Sequence, residues 1–340
     1  MNMMKKFLLF TFLLVFFMGK SFSQDLHYTQ FYNTPMNFNP SLTGIFSGDQ
    51  RYMVSIRDQW RAFPIPYFTL SGNYDMKFYP KQFKRSFFSA GVVFNYDLQG
   101  DAALNLSNLN LAGSYSYVIS KRNLITVGAL LGISSRGFSD KHLEWDAQYV
   151  DGAFDPREPD MELLERYRFN FLETGLGLNY RWQKSKRLHV TVGAAGFHLN
   201  RPALDFNTGV SDTRIAKLGI RYALHGVANV KIAGPLDIQL NALYQKQSVY
   251  DEMVFGGLVK IYLNQKRGKM FEFHLGSSFR INDAIIPTLA VQYNDWYVGF
   301  NYDITTSNDA FKHRGGPELH ISYIFKKVQP LKSFKLCPIF

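Results

Sequence analysis

Residues 288–303 constrain the fold more than any other stretch. They read Thr288-Leu-Ala-Val-Gln-Tyr-Asn-Asp-Trp-Tyr-Val-Gly-Phe-Asn-Tyr-Asp303, and Asn294-Asp295 is the kind of two-residue turn that closes a tight hairpin. Folding there sets Tyr293 opposite Trp296, Val291 opposite Val298 and Leu289 opposite Phe300. Side chains alternate along a strand, so all six share one face. The other face pairs Gln292 with Tyr297, Ala290 with Gly299 and Thr288 with Asn301. One side is wholly apolar and ends in two aromatics; the other is polar or small. A soluble sandwich alternates in the same way, so the decisive points are how often the pattern recurs and what precedes it.

It recurs along the whole chain. Phe68, Leu70, Tyr74, Met76 and Phe78 share one face of a strand, with Thr69, Ser71, Asn73, Asp75 and Lys77 on the other. Phe88, Ala90, Val92, Phe94, Tyr96 and Leu98 repeat it, as do Leu176, Leu178, Tyr180 and Trp182. Further strands are predicted over 51–60, 109–119, 125–133, 188–192, 218–232, 236–244, 255–263, 271–279 and 319–325. The total is about fourteen (about 12–16 within boundary error), each near the 9–11 residues that a tilted membrane strand needs. No long stripe has the 3.6-residue period of a helix. Tyr and Phe number 20 and 31 in 340 residues, which suits strands and membrane interfaces.

The start of the chain says where such strands go. Lys5 and Lys6, the apolar run Phe7 to Met18, and the small residues Ser21 and Ser23 have the form of a secretory signal over 1–23, with a mature start at Gln24. The apolar run falls short of the ~20 residues of a spanning helix. No cysteine follows the cut, which argues against a lipoprotein. The one cysteine, Cys337, excludes an intramolecular disulfide. Only helices and closed barrels satisfy their backbone in lipid, so export together with alternating aromatic hairpins predicts an all-β, transmembrane antiparallel barrel. It would occupy 50–325, after a loop-like plug segment at 24–49 and before a short tail at 326–340.

Connection lengths give a direction. Short turns are expected near Lys81–Ser86, Lys121–Asn123, Lys184–Arg187, Gly234–Pro235, Asn264–Lys269 and Asn294–Asp295. Longer loops are expected around Arg61, Gly100, Asp151, Asn207, Asp251 and Asn308, with Asn282-Asp283 the short exception. Short turns belong to the periplasmic side of a Gram-negative outer membrane, so an even strand count predicts both termini there. The formal charge of +11 is scattered over turns and lumen, not gathered in a stripe, which argues against nucleic acid.

The segment after the signal, QDLHYTQFYNTPMNFNPSLTG, lacks alternation and reads as extended and loop-like. It carries His27-Tyr28-Thr29-Gln30-Phe31-Tyr32, then Pro35, then Asn39-Pro40 with Gly44 shortly after. Arg57-Asp58-Gln59-Trp60, the strand Ser71 to Asp75 and the ending Cys337-Pro338-Ile339-Phe340 follow in order. As a set these features resemble the PorP/SprF family of type IX secretion membrane proteins from end to end. Asp58 stands where that family more often has Asn, and Leu26 where Pro is commoner. The resemblance implies a partner barrel of the type IX translocon, in some members tied to gliding motility. It further implies binding, not catalysis: a large secreted adhesin would be exported or anchored through its C-terminal sorting domain. Asn39, Pro40, Gly44, Arg57, Gln59, Trp60, Cys337, Pro338 and Phe340 are the residues expected to shape that interface or the plug. A porin or transporter for small or hydrophobic solutes, with about fourteen strands and an N-terminal plug, is the alternative.

The inward face is charged. Arg181, Lys217, Arg221, His225, Lys231, Lys260, His274, Arg280 and His320 fall on it with Glu272, Asp303 and Glu318. Such charge is expensive against lipid and natural in a wet lumen. The plainer reading is that these groups pair with one another and hold the plug; the sharper one is an anionic solute or an inserted chain. No phosphate loop, dinucleotide fingerprint or zinc-binding helix is present, so no cofactor is expected. Gly175-x-Gly177 inside a strand reads as relief of lumen crowding. Asp146, Asp151, Asp155, Glu158 and Asp160 could hold calcium, but Pro156 and Pro159 suit a plain surface loop. His142, His189, His198 and His313 near a rim, with Ser or Asp nearby, are too common a set to define a hydrolase.

Overall fold

The computed structural model of the chain describes residues 28–59, 67–83, 85–100, 102–139, 146–150, 153–155, 157, 168–204, 217–266, 268–306 and 315–327. Fourteen strands close into one antiparallel barrel. In chain order they begin with β1 (Gln50–Gln59), β2 (Tyr67–Phe78), β3 (Ser86–Gln99), β4 (Leu104–Ser120) and β5 (Asn123–Gly137). A separate two-stranded sheet, β6 (Tyr149–Val150) and β7 (Ala153–Phe154), interrupts them. The barrel resumes with β8 (Arg168–Ser185), β9 (Leu188–Phe197), β10 (Arg221–Ala233), β11 (Leu236–Gln247) and β12 (Tyr250–Asn264). It ends with β13 (Phe271–Arg280), β14 (Ala284–Tyr293), β15 (Trp296–Thr305) and β16 (Gly316–Phe325). Each strand pairs with its neighbours in sequence, and β1 closes the ring on β16 from Gln50↔Phe325 to Arg57↔Glu318. Closure leaves no edge, which a sheet in hydrocarbon requires.

The hairpin of 288–303 has the register that its sequence dictates. All six expected pairs, from Thr288↔Asn301 to Tyr293↔Trp296, are present. Asn294 sits at φ 52, the left-handed conformation that a tight hairpin turn demands. The outward face is apolar around the ring, with Leu111, Ile133, Leu176, Leu240, Leu275 and Val298 all exposed. Such a belt belongs against lipid. Tyr74, Tyr52, Tyr323 and Trp296 form a run of ring contacts with centroids 4.7–6.4 Å apart at one end of it. That is an interfacial aromatic girdle.

The barrel has a short-turn end, where β1 starts and β16 finishes, and a long-loop end. Two connections depart from the expected alternation, and one strand starts later than expected. Asp251 is not in a long loop: Ser248-Val249 is a two-residue turn, and Asp251 pairs with Lys246 inside the β11–β12 ladder. The connection at 100–103 is also brief. β10 starts at Arg221, not at residue 218, so Lys217 is outside the barrel wall: it is exposed and bridged to Ala203. Lys231 keeps the inward register but is exposed at the short-turn rim.

Residues 28–49 occupy the lumen. They are wound more tightly than an extended segment, as three successive single turns of 3-10 helix at Phe31–Asn33, Pro35–Asn37 and Pro40–Leu42. Pro35 and Pro40 each occupy a first helical position, where a fixed φ helps and the missing N–H costs nothing. Near the long-loop end Tyr28, Phe31 and Phe38 pack with Leu106, Phe169, Phe171, Leu243 and Val254. At mid-depth Met36 packs with Met53, Val93 and Ala112. Near the short-turn end Ile45 packs with Phe87 and Leu124. The segment therefore runs from the long-loop end at Tyr28 to the short-turn end at Gln50. Tyr28 and Lys327, the first and last described residues, lie at opposite ends of the barrel.

Candidate functional site

The site is the seat of this plug, and three sets of contacts build it. The first is ionic and lies near the long-loop end. The backbone amides of Thr29 and Gln30 donate to the two carboxylate oxygens of Glu318, at 3.1 and 3.2 Å. Thr29 Oγ1 donates to Asp303 Oδ1 at 3.0 Å and accepts from Arg280 Nη2 at 2.9 Å. Arg57 Nη2 reaches Asp303 Oδ2 at 2.7 Å, and Arg280 contacts Glu252 and Asp283, each at 2.8 Å. Gln30 also donates to Asn301. At this end the inward charges pair with one another and clamp the start of the plug.

The second set is steric and lies at mid-lumen. Asn39 is fully buried. Its Oδ1 accepts from the Ser41 amide at 2.9 Å, capping the third turn. Its Nδ2 donates to the wall carbonyls of Leu178 and Ala194, at 3.1 and 3.2 Å. Those carbonyls already belong to the β8–β9 ladder region, so the plug is bonded to the sheet backbone itself. This approach needs glycine. A Cβ on Gly177 would stand 1.9 Å from Asn39 Oδ1, and one on Gly128 would stand 2.4 Å from the Ser41 amide nitrogen and 2.5 Å from the Pro40 carbonyl. Gly128 and Gly177 face each other across β5 and β8. Crowding at Gly177 was readable from its inward position; Gly128 carried the same inward phase and went unremarked. Asn37 joins the same floor by donating to Ser71 Oγ at 3.0 Å and Asn95 Oδ1 at 3.2 Å.

The third set lies toward the short-turn end. Gly44, at φ +76, donates its amide to Asp75 Oδ2 at 2.7 Å. Arg51 grips the same carboxylate with Nε at 2.9 Å and Nη2 at 2.7 Å. The Phe46 ring lies between the Arg51 guanidinium, 4.6 Å from its centroid, and the Lys77 ammonium, at 4.5 Å. Lys77 also donates to the Phe46 carbonyl.

Asn39, Pro40, Gly44 and Arg57 therefore all meet at the plug, Arg57 through Asp303. Gln59 does not: it is half-buried at the long-loop end of β1, opposite Tyr67. Trp60, Cys337, Pro338 and Phe340 lie outside the described residues. Gln59 and Lys327 are at opposite ends of the barrel. Thr29, Gln30 and Asp75 hold the plug as firmly as any residue singled out for it. Asp75 could have been found as a lone inward carboxylate with Arg51 opposite it in the β1–β2 ladder.

Beside the plug, toward the short-turn end, a cavity of about 270 Å³ remains. Tyr32, Pro35, Leu42 and Ile45 of the plug form one side. Arg181, His189, His225, Lys260, His274 and His320 line the barrel side. Asp295 and Ile324 stand at the rim, so the chamber opens at that end.

Of the remaining candidates, those among the described residues do not come together. His189 lines the chamber, whereas His198 is buried just past the far end of β9; along that strand nine residues span roughly 30 Å. His142 and His313 lie outside the described residues, as do Asp151, Glu158 and Asp160. Asp146 is exposed, and Asp155 is held below the usual carboxylate range by its hydrogen bonds from Arg157. Among the described residues no three His, Cys, Asp or Glu side chains gather where a metal ion would need them.

Comparison with known proteins follows the same outline. The family model described as "Type IX secretion system membrane protein PorP/SprF" matches residues 20–323. No curated protein matches the chain. Among solved structures, the Pseudomonas putida toluene transporter TodX superposes with a TM-score of 0.50 at 10% identity, covering 88% of this chain and 94% of that one. A Pseudomonas aeruginosa FadL homologue gives 0.51 at 10% identity, covering 84% and 93%. The CymD monoaromatic hydrocarbon channel gives 0.50 at 10% identity, covering 87% and 93%. At these identities the likeness is one of fold, that of outer-membrane barrels.

Proposed function

Because the chain belongs to the PorP/SprF family of type IX secretion system membrane proteins, we propose that this outer-membrane barrel binds one large secreted adhesin. The contact is to the adhesin's C-terminal sorting domain, and it supports export or surface anchoring, in the service of gliding where the cell glides. The role is binding, without catalysis. The seated plug is the observation that supports this reading best. A lumen filled by residues 28–49, clamped by ions at one end and bonded to the sheet backbone in the middle, suits a rigid docking body better than an open pore. Asn39, Pro40, Gly44 and Arg57 keep that body in shape. Gln59 lies at the long-loop end, where cargo arrives if the long loops are outside. Trp60, Cys337, Pro338 and Phe340 are proposed to shape contacts with the cargo or with other translocon components.

A gentle detergent pull-down of the tagged barrel from its own outer membrane tests the proposal. Co-recovery of one large protein with a C-terminal sorting domain supports it and names the cargo. Recovery of the barrel alone, from cells that secrete normally without it, overturns it. The second reading, a transporter of hydrophobic solutes, draws on the fold shared with proteins described as hydrocarbon channels and a toluene transporter. It predicts solute uptake that depends on the barrel and is unaffected by loss of any secreted protein.

A further inference from the structure

The chamber at the short-turn end has a chemistry that holding the plug does not use. Its wall is built from inward positions of β8 to β16 and of β1, and its ionisable lining is mostly basic, with Asp237 opposite Lys260 in the β11–β12 ladder and Glu272 3.2 Å from His274. Arg181, Lys260 and four imidazoles face it, while its one lining carboxylate, Asp295, stands at the rim and is bound by Lys326. Arg51 also lines it but is committed to Asp75. Three of the imidazoles carry buried nitrogens without a partner, His189 at Nδ1 among them. His225 is 6% exposed, and neither ring nitrogen has one; His320 is 1% exposed, and its Nε2 has none while its Nδ1 meets Ser55 Oγ at 2.7 Å. Buried polar atoms left unmatched are costly, and they call for a polar occupant. Lys260 stands opposite His274 in the β12–β13 ladder, and Tyr297 lies between His274 and His320, its ring centroid 5.6 and 5.9 Å from theirs. The donors therefore spread along a curved wall. The plug side is largely different in kind: Phe31, Pro35, Leu42 and Ile45 are apolar, with Tyr32 and Asn33 beside them, and Met53 of β1 and Leu258 of β12 add apolar wall.

A bare inorganic ion would satisfy the wall and leave the apolar side empty. A neutral hydrocarbon would do the reverse. We propose that the chamber binds an organic anion, a carboxylate carried on an apolar or aromatic body, entering from the short-turn end. The carboxylate accepts from Lys260, which stands beside His274 on the wall, and its body lies on Leu42 and Ile45. The terminal residue of a polypeptide and a small aryl carboxylate share this chemistry. The ligand is distinct from the cargo proposed above, and its binding is measured without any cargo present.

The test uses the full mature barrel in a nonionic detergent. The probe is 4-(4-fluorophenyl)butyrate, followed by fluorine NMR line broadening, with its primary amide as the uncharged match that controls for entry into micelles. The acid is expected to bind saturably and at least about tenfold more tightly than the amide, the scale of one charge-assisted hydrogen bond. Lys260→Met is expected to remove most of that difference, and His225→Gln, six residues along the ladder from the level of Lys260, is expected to leave it in place, with the folded gel mobility unchanged. Equal binding of acid and amide, or no saturable binding of either, overturns the proposal even if both variants fail to fold. So does a folded Lys260→Met barrel that keeps the full preference. An N-acetyl tripeptide ending in phenylalanine, as acid and as amide, separates the sources. Tighter binding of the peptide acid than of the small acid assigns the site to a chain end, and the reverse assigns it to a small anion; either supports the anion chemistry.

Discussion

Replacing Gly128 with alanine puts the plug's seat to the test. The added Cβ would stand 2.4 Å from the Ser41 amide nitrogen and 2.5 Å from the Pro40 carbonyl carbon and oxygen. These are backbone atoms of a capped turn, so no side-chain rotation relieves them, and the plug must back away by about 1 Å to reach ordinary contact. Overpacking of this kind costs about 1–3 kcal/mol. The same shift pulls Asn39 Nδ2 away from the carbonyls of Leu178 and Ala194. Each of those hydrogen bonds contributes about 0.5–1.5 kcal/mol, which brings the expected loss to roughly 2–6 kcal/mol. The ratio of seated to released plug should fall between about thirtyfold and about twenty-five-thousandfold. Two readouts apply: single-channel conductance in planar bilayers, and protease cleavage within residues 28–49 added from either side. Gly128→Ala should show long-lived openings and new cleavage. Gly113→Ala, on the adjacent β4 with no atom within 4 Å of its new Cβ, should match the wild type. If Gly128→Ala stays as closed and as resistant as Gly113→Ala, the plug is not held by this approach and the account of Asn39 is wrong.

Arg57→Ala should lower the temperature at which the barrel loses its folded gel mobility, by the equivalent of about 1.5–3 kcal/mol, because Asp303 loses one charged hydrogen bond and keeps Arg280. Thr29→Val, which removes one hydroxyl from the same network, should cost about 1–3 kcal/mol in the same gel. Burial, with the nearby Glu318 charge, pushes the Tyr28 phenol well above its usual range. The folded state therefore holds the neutral form, so this contribution to the seated plug is complete below pH ~10, where the unfolded chain ionises, and is lost as pH rises further. Difference absorbance at 295 nm against Tyr28→Phe should show no ionisation step near pH 10 in the folded barrel; a step there would contradict it. Val298→Arg, on the lipid side of the hairpin, should reduce assembly into bilayers by the equivalent of about 2–4 kcal/mol, while the lumenal Gly299→Ser control reports on plug packing instead.

The barrel was legible because alternation is a local property. Once Asn294-Asp295 was read as a turn, the register of β14 and β15 followed down to the pairing of Thr288 with Asn301. Loop lengths were less so. Asp251 looked like loop because acidic residues cluster there, yet in the ladder it lies opposite Lys246, and that pairing allows a charge near the rim of a strand. Lys217 looked inward because the alternation of β10 was extended past Arg221 into a connection. The plug was the least legible part. Pro35 and Pro40 argued against strand, but the same prolines start 3-10 turns once Thr34 and Asn39 precede them. Nor does the sequence of one strand say that Gly128 and Gly177 meet across a ladder to admit Asn39; that needs the register of two strands and the path of a third segment.

That path also decides where the chain begins. An even number of strands puts the start of β1 and the end of β16 at the same, short-turn end, from which both termini were expected on one side. The rule holds for Gln50 and Phe325, which are paired. It does not extend to the plug, which threads back up the lumen before β1 begins. Thr29 is bound to Asp303 and Glu318, each two residues from the long-loop end of its strand. With cleavage after Ser23, only four residues separate the mature start from Tyr28, a reach of at most about 14 Å. A ten-residue strand such as β1 rises about 33 Å, so that reach cannot return the N-terminus to the short-turn mouth. If the long loops face outward, an epitope placed at the mature N-terminus should be stained by antibody on intact cells, and one at the C-terminus only after permeabilisation. Staining of the C-terminal epitope alone would mean that the barrel is inserted the other way up. Staining of neither on intact cells, with both revealed by permeabilisation, would mean that the N-terminus does not emerge where the plug leads it.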